Sequence, residues 1–136
     1  MKYKFIEDLT SDVLFEARGK TLNELFENAA LAMFDVICKV DMVGEKKKIK
    51  VEVKAGNLDD LMFQWLQHLI ALVDIEEMFF SRFEVEEIND NKLIAYVYGE
   101  EISPAKGNTV VKSVTNYGFK LWKEKSKYFV TVSLDI

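Results

Sequence analysis

The chain of 136 residues is long enough for one domain with one hydrophobic core, and its 49% hydrophobic and 30% charged residues exclude wholesale disorder. No apolar run is long enough to span a bilayer, and the N-terminal segment lacks the apolar core of a signal peptide, so we expect a cytoplasmic protein without membrane contact. The net charge of −5 gives no support to phosphate contacts with RNA, and we expect no direct nucleic-acid binding.

Two strand-like segments open the chain. Lys2 to Ile6 alternates around Tyr3 and Phe5, as a strand with one buried face does. Residues 8–12 form a polar, turn-like stretch, and residues 13–17 return to strand character.

The first helix is predicted near residues 21–38. Thr21 and Glu24 have the spacing of a capping box, in which both side chains satisfy backbone N–H groups of the first turn. An apolar stripe at helical spacing follows, formed by Leu22, Leu25, Phe26, Ala29, Ala30, Met33, Phe34 and Ile37. Polar residues fall mostly opposite this stripe, which predicts a surface helix held by its apolar face. The two alanines predict close approach to a sheet.

A third strand and a second helix come next. Residues 48–54 alternate apolar with charged side chains, after a lysine-rich run that is better explained as a solvated approach to the strand than as an RNA contact. Asn57 then caps a helix predicted near residues 58–76, which keeps an apolar stripe for over four turns.

The remainder reads as strands: 80–87 and 93–98 as a hairpin, then 109–116, 119–123 and 128–134. Helices separated by strands and followed by a run of strands are typical of the α+β class. We predict a single domain, residues 1–136, built as a two-layer sandwich with two long helices on one face of a mostly antiparallel sheet.

The sequence contains none of the familiar catalytic motifs that we considered. There is no Gly-rich phosphate loop, no nucleophile elbow and no pair of histidines. Cys38 and His68 are the only residues of their types, so neither has a partner for nucleophilic catalysis or a transition-metal cluster. We therefore expect a protein that is not an enzyme, in which Cys38 and His68 are dispensable.

Carboxylates are the remaining candidates for a site. Asp12 precedes a strand, Asp135 ends the last one, and Ile136 carries the terminal carboxylate. If those two strands are neighbours, the oxygens could converge on a hard cation such as calcium. From the residues alone, the alternative in which Asp12 caps a turn and Asp135 is solvated is the favoured one.

Residues 19–34, Gly-Lys-Thr-Leu-Asn-Glu-Leu-Phe-Glu-Asn-Ala-Ala-Leu-Ala-Met-Phe, resemble the signature of the archease family. The resemblance implies a non-catalytic protein cofactor that promotes guanylylation and multiple turnover of an RtcB-type tRNA-splicing RNA ligase. The alternative role implied is a chaperone-like modulator of an RNA-modifying enzyme such as a tRNA methyltransferase. That role requires an exposed apolar surface, for which Phe63, Ile70, Phe79 and Phe80 are the candidates.

The resemblance also implies a metal site. The family has an aspartate that ends an N-terminal polar segment and another that precedes the last, apolar residue, and these bind metal together with that last residue. The matching positions imply Asp12, Asp135 and Ile136 as ligands of calcium or another divalent cation.

The sequence departs from the family pattern at two places. Leu9 stands where the family usually has a histidine, and Asn116-Tyr117 stands where it usually has Tyr-His. Lys112 keeps its family identity in the same segment. The aspartates are therefore expected to carry metal binding without help from an imidazole.

Overall fold

The computed structural model describes residues 1–7 and 12–136, so the segment Asp8 to Ser11, including Leu9, lies outside the described residues. The elements follow the chain as β1 Tyr3–Ile6, β2 Val13–Gly19, α1 Leu22–Ile37, β3 Lys47–Lys54, α2 Leu58–Glu76, β4 Met78–Ile88, β5 Lys92–Glu101, β6 Ser113–Glu124 and β7 Lys127–Asp135. The α+β class and the positions of both helices are confirmed.

The strands form two antiparallel sheets rather than the one sheet that we predicted. The large sheet has the order β1-β2-β7-β6, and the small sheet has the order β3-β5-β4. Each helix contacts strands of both sheets, so the helices do not simply cover one face of one sheet. The alternating pattern of each strand predicted strand character, but which strands pair is decided by contacts far apart in the chain.

Two side chains of α1 hydrogen-bond with the backbone of Val85 in β4, which is an outer strand of the small sheet. Asn23 Nδ2 donates to the Val85 carbonyl at 3.0 Å, and Val85 N donates to Glu27 Oε2 at 2.8 Å. These two side chains satisfy backbone groups that another strand would otherwise pair.

The helix α1 is also more deeply buried than a surface helix, so that part of the sequence prediction is wrong. Of its residues only Glu24 and Asp35 are exposed. The polar Asn28 is buried because its Nδ2 donates to the Arg18 carbonyl at 2.8 Å. A polar side chain opposite an apolar stripe can face a strand as well as water, and periodicity does not distinguish the two.

Side-chain caps position both helices as predicted. Thr21 Oγ1 accepts from Glu24 N at 3.1 Å, and Glu24 Oε1 accepts from Lys20 N at 3.4 Å. Asn57 Oδ1 accepts from Asp60 N at 2.8 Å at the start of α2. The caps at Glu24 N and Asp60 N satisfy N–H groups that the first helical turn leaves without a partner, whereas the Lys20 N–H precedes the helix.

The strand β6 is longer than predicted and replaces two predicted strands. It runs through Ser113–Glu124 with an irregular register against β7 between Thr115 and Lys120. Gly118 has φ +63°, a left-handed conformation that suits glycine and bends the strand without ending it. Residues 109–112 lie outside the strand.

The core lies between the helices and the inner faces of the sheets. Its largest member, Trp65, is fully buried and donates from Nε1 to the Phe26 carbonyl at 3.0 Å, which joins α2 to α1. Across the part of the chain that the structure describes, neither helix has the length and apolarity needed to cross a membrane.

Candidate functional site

The strands β2 and β7 bring Asp12 and Asp135 to the same edge of the large sheet. The two strands are antiparallel neighbours, and Val13 is paired with Leu134. Asp12 immediately precedes Val13 and Asp135 immediately follows Leu134, so the two aspartates lie on adjacent strands at this edge. The sheet topology therefore provides the strand adjacency on which a shared site depends.

The C-terminus is attached to the same edge. Asp135 is paired with Ser113 on β6, and its carbonyl accepts from Lys112 N at 2.8 Å. Asp135 is half-buried, whereas Ile136 is 40% exposed. The backbone of β7 is thus fixed up to its last residue, which limits where the terminal carboxylate can lie.

An open cleft of about 840 Å³ adjoins this edge. Its polar lining consists of Glu7, Asp12 and Asp35, together with Asn108 and Thr109. All five side chains carry oxygen atoms, and oxygen is the donor that calcium and other hard cations prefer. We call Glu7, Asp12, Asp135 and the carboxylate of Ile136 the carboxylate end of the large sheet.

The donor chemistry fits a hard divalent cation, but the side chains alone do not complete a site. In residues 1–7 and 12–136, no three His, Cys, Asp or Glu side chains are grouped closely enough to hold a metal. The predicted ligands are the side chains of Asp12 and Asp135 and the terminal carboxylate of Ile136, so only two of the three groups are side chains of these types. Its assignment to Asp12, Asp135 and Ile136 stays a prediction.

Asp35 was missed by the sequence prediction because it lies in the last turn of α1, far from both aspartates in the chain. Its Oδ2 accepts from the Tyr3 hydroxyl at 3.1 Å. Burial, with the neighbouring Asp35 carboxylate, raises the pKa of the Tyr3 phenol to about 12. Tyr3 therefore stays protonated and can hold Asp35 at the cleft.

Neither Cys38 nor His68 lines the carboxylate cleft. Cys38 is fully buried, its Sγ donates to the Phe34 carbonyl at 3.4 Å, and burial raises the pKa of its thiol to about 12. A protonated, inaccessible thiol is a poor nucleophile. His68 is exposed on α2.

A buried carboxylate on the small sheet, Glu100, has a structural role. Glu100 is only 8% exposed and accepts from the Gly44 backbone N–H and from Lys106 Nζ at 2.9 Å, while Lys46 Nζ lies 3.4 Å away. The Gly44 N–H, followed by the Lys106 ammonium, lowers the pKa of the Glu100 carboxyl to about 2. These contacts join β5 to two neighbouring loops.

The apolar surface differs from the one predicted. Phe79 and Phe80 are buried, and Phe63 packs edge-on against Phe119 with ring centroids 5.7 Å apart. These residues therefore do not form a large exposed surface. Ile70, the remaining candidate, does reach a surface feature.

This feature is an apolar groove of about 370 Å³ between the C-terminal half of α2 and residues 102–111. Its walls include Ile70, Val73, Ile102 and Val110, of which Val110 is 79% exposed. Asn108 and Thr109 line both this groove and the carboxylate cleft, so the two are contiguous.

Comparison with known sequences identifies relatives over nearly the whole chain. Residues 3–136 match the Archease protein family. The chain is 35% identical to the protein archease of Sulfurisphaera tokodaii over 99% of both chains. It is also 35% identical to the protein archease of Methanosarcina mazei, over 99% of this chain and 96% of that protein.

Two solved structures share the fold. The solution structure of Methanobacterium thermoautotrophicum protein 1598 has a TM-score of 0.85 and 30% identity, with 99% of each chain covered. The crystal structure of an archease from Thermotoga maritima, described as a possible chaperone, has a TM-score of 0.68 and 17% identity, with 96% and 95% covered.

Proposed function

The chain belongs to the archease family, and on that premise we propose that it is a non-catalytic protein cofactor of an RtcB-type RNA ligase, which it activates for guanylylation and multiple turnover. The observation that supports this role best is the pairing of β2 with β7, which brings Asp12 and Asp135 to one edge beside the C-terminus. A cofactor that acts at another enzyme's active site needs its functional groups at an accessible tip, and this edge provides one.

Asp12, Asp135 and the terminal carboxylate of Ile136 would hold a divalent cation, with calcium as the first choice. When bound, such an ion supplies positive charge that stabilises phosphate oxygens. The chain's own contribution is positional, since β7 fixes Asp135 through the Lys112 hydrogen bond and β2 fixes the residue that follows Asp12.

The charge of the carboxylate end suits an approach of this end toward the active site of the ligase. The carboxylate end is anionic, and the active site of an enzyme that binds GTP and RNA phosphates is cationic. Complementary charges accelerate encounter and orient the partners, with an effect that decreases as salt increases.

Ligase turnover with and without this protein tests the proposal. We expect wild-type protein to raise the number of joined RNA molecules per ligase, and Asp12→Asn and Asp135→Asn to lose most of that stimulation. Asp90→Asn is the matched control, because Asp90 is an exposed aspartate in the turn between β4 and β5 of the other sheet.

Melting curves of the three variants must match wild type, so that a loss of stimulation is not a loss of folding. No stimulation by wild-type protein would refute the ligase role. Equal loss in all three variants would refute the assignment to the carboxylate end.

The apolar groove favours a second candidate, chaperone-like control of an RNA-modifying enzyme. Exposed aliphatic side chains such as Val110 and Ile102 suit the binding of an apolar segment of another protein. A Val110→Asp variant should then lose protection of a tRNA methyltransferase against aggregation while keeping ligase stimulation. The opposite pattern would exclude this second role.

A further inference from the structure

We propose that the end of the large sheet opposite the carboxylates binds single-stranded RNA through its phosphate backbone. We call this surface the basic end and define it by eight residues: Lys2, Lys4, Arg18, Lys20, Lys120, Lys123, Lys125 and Lys127. The proposal concerns a different surface from the candidate metal site and does not depend on the ligase role.

The sheet register brings these residues together from four separate segments. Lys4 pairs with Glu16 and Gly19 pairs with Tyr128, which aligns the beginning of β1 with the end of β2 and the beginning of β7. Glu124 pairs with Lys127 across the turn that joins β6 to β7. The carboxylates near these eight basic residues are Glu16, Glu24, Glu27 and Glu124, so positive charge is in excess.

Six of these eight cations form no close ion pair with the described residues. Lys4 and Arg18 lie 3.8 Å and 3.3 Å from Glu16. The other six have no carboxylate within 4.0 Å among the described residues. On the small sheet, Lys47, Lys54 and Arg82 are each paired with a glutamate, whereas Lys48 and Lys50 form no ion pair with the described residues.

Protection of the sheet edges does not explain this distribution. Lysines on β1 and β6 would discourage pairing with another chain. That role should place charge along the whole of both edge strands, yet their other ends carry Phe5, Ile6 and Val114. Lys20 and Lys125 also lie outside any strand.

Aromatic rings interleaved with the cations favour RNA over an acidic protein. Trp122 and Phe129 stack with ring centroids 5.3 Å apart and an interplanar angle of 13°. Arg18 lies over Phe129 at 5.5 Å and Lys120 lies over Trp122 at 5.2 Å. Cations placed beside half-buried aromatic rings on a sheet face can contact phosphates and bases together.

The two ends of the sheet are far enough apart to act independently. Asp12, which immediately precedes β2, and Arg18 near its end are six residues apart, which corresponds to about 20 Å at the rise of a strand. RNA at the basic end would therefore not be repelled strongly by the carboxylate end at physiological salt, because the Debye length is about 8 Å.

Fluorescence anisotropy with a labelled oligouridylate of about ten nucleotides tests the inference. We expect binding at low salt that weakens as salt increases. The double variant Lys120→Glu/Lys127→Glu should weaken binding by about tenfold or more. It should also reduce the dependence of log Kd on log salt by about 0.7 for each lysine that no longer neutralises a phosphate. Melting temperatures should stay near the wild-type value.

Lys48→Glu/Lys50→Glu is the matched control. It makes the same charge change on the outer face of the small sheet, where Lys48 also lies over an aromatic ring, Tyr96, at 4.3 Å. This control should change RNA affinity less than about threefold, as expected of a contribution from net charge alone. Equal weakening by the two double variants would overturn the proposal.

Intrinsic fluorescence gives a second, local readout. Trp65 is fully buried and Trp122 lies at the basic end, so RNA should change the emission of wild-type protein through Trp122. Trp122→Phe should bind RNA without that emission change. Absence of RNA binding at low salt, or displacement of RNA by polyglutamate at equal charge concentration, would overturn the assignment to RNA.

Discussion

The large and small sheets use charged residues in opposite ways. On the small sheet, the buried Glu100 accepts from Gly44 and Lys106, and Lys47, Lys54 and Arg82 are each paired with a glutamate. On the large sheet, Asp12, Asp135 and the terminal carboxylate gather at one end of the strands, and basic side chains outnumber carboxylates at the other.

We interpret this difference as a division of roles, in which the paired charges contribute to stability and the grouped like charges contribute to recognition. A charge that is satisfied by neighbouring donors holds two parts of the chain together and has little left to offer a ligand. A group of like charges at one end of a sheet contributes little to folding, and its field is directed at solvent and partners. The following predictions test whether the small sheet governs folding and the large sheet governs binding.

The largest effect is expected at Gly99 in the central strand of the small sheet. A Cβ atom there would overlap the Phe79 carbonyl group and lie 2.9 Å from Phe80 Cα. Backbone atoms cannot move aside without breaking the pairing of β4 with β5, so Gly99→Ala should lower the free energy of unfolding by about 3 kcal/mol or more, measured by urea denaturation.

Gly56→Ala is the control for that substitution. Among the described residues other than Gly56 and its two chain neighbours, no heavy atom lies within 4 Å of a Cβ at Gly56. Its free energy of unfolding should change by less than about 0.5 kcal/mol. Similar losses in the two variants would show that alanine itself, rather than the close approach of β4, is responsible.

At the carboxylate end of the large sheet, the expected effect is on binding. Calcium at about one hundred times its Kd should stabilise wild-type protein by about 2.7 kcal/mol, because an ion that binds only the folded chain shifts the equilibrium toward it. Asp135→Asn should abolish the calcium-dependent rise in melting temperature, whereas the calcium-free melting temperature should stay close to wild type. A calcium response preserved in Asp135→Asn would exclude this ligand.

Glu100 should make the small sheet sensitive to acid. Its pKa of about 2 lies below the ordinary 4.5, so its stabilising contribution is present above about pH 4.5 and is lost as pH falls toward 2. Glu100→Gln keeps an acceptor for Gly44 but loses the charge that Lys106 and Lys46 contact. Melting curves from pH 7 to pH 2 should show wild type more stable at neutral pH and the difference shrinking with acid.

Glu27 should change the pH dependence of stability in the opposite direction from Glu100, and by a smaller amount. Burial raises the pKa of the Glu27 carboxyl in the folded protein above that in the unfolded chain. Its contribution to stability is therefore fully present below the unfolded pKa and is lost as pH rises through the folded pKa. A glutamine side chain at this position would still offer an oxygen to Val85 N without the desolvated charge. Glu27→Gln should therefore gain stability relative to wild type between pH 4 and pH 7, and a loss over that range would contradict the assignment.

The smallest effects are expected at Cys38 and His68, which belong to neither sheet's charged groups. His68→Asn should change the free energy of unfolding by less than about 0.5 kcal/mol, because His68 is exposed. The thiol of Cys38 should not react with a thiol reagent until the protein unfolds, since it is fully buried. Ligase stimulation by Cys38→Ser and His68→Asn should stay near wild type.

Local patterns predicted both helices and most of the strands, although Ser113–Glu124 is one strand where two were predicted. The capping box at Thr21 and the Asn57 cap predicted where both helices begin, because each motif satisfies N–H groups within a single turn. Alternation predicted β3 and β5 because it reports one buried face, whichever strand lies next to it. The signature of residues 19–34 identified the family that the comparison then showed.

Contacts between distant parts of the chain could be identified only from the tertiary structure. The division into two sheets is set by strand pairings between distant segments, and Asp35 joins the cleft lined by Asp12 only through the packing of α1. No pattern within either segment records such a contact.

Net charge shows the limit of the sequence most clearly. A total of −5 is fully determined by composition, and it led us to expect no contact with nucleic acid. The antiparallel register of β1, β2, β6 and β7 decides that eight basic residues from four segments share one end of a sheet while carboxylates share the other. Electrostatic potential depends on where charges lie as well as on their sum, and only the fold assigns their positions.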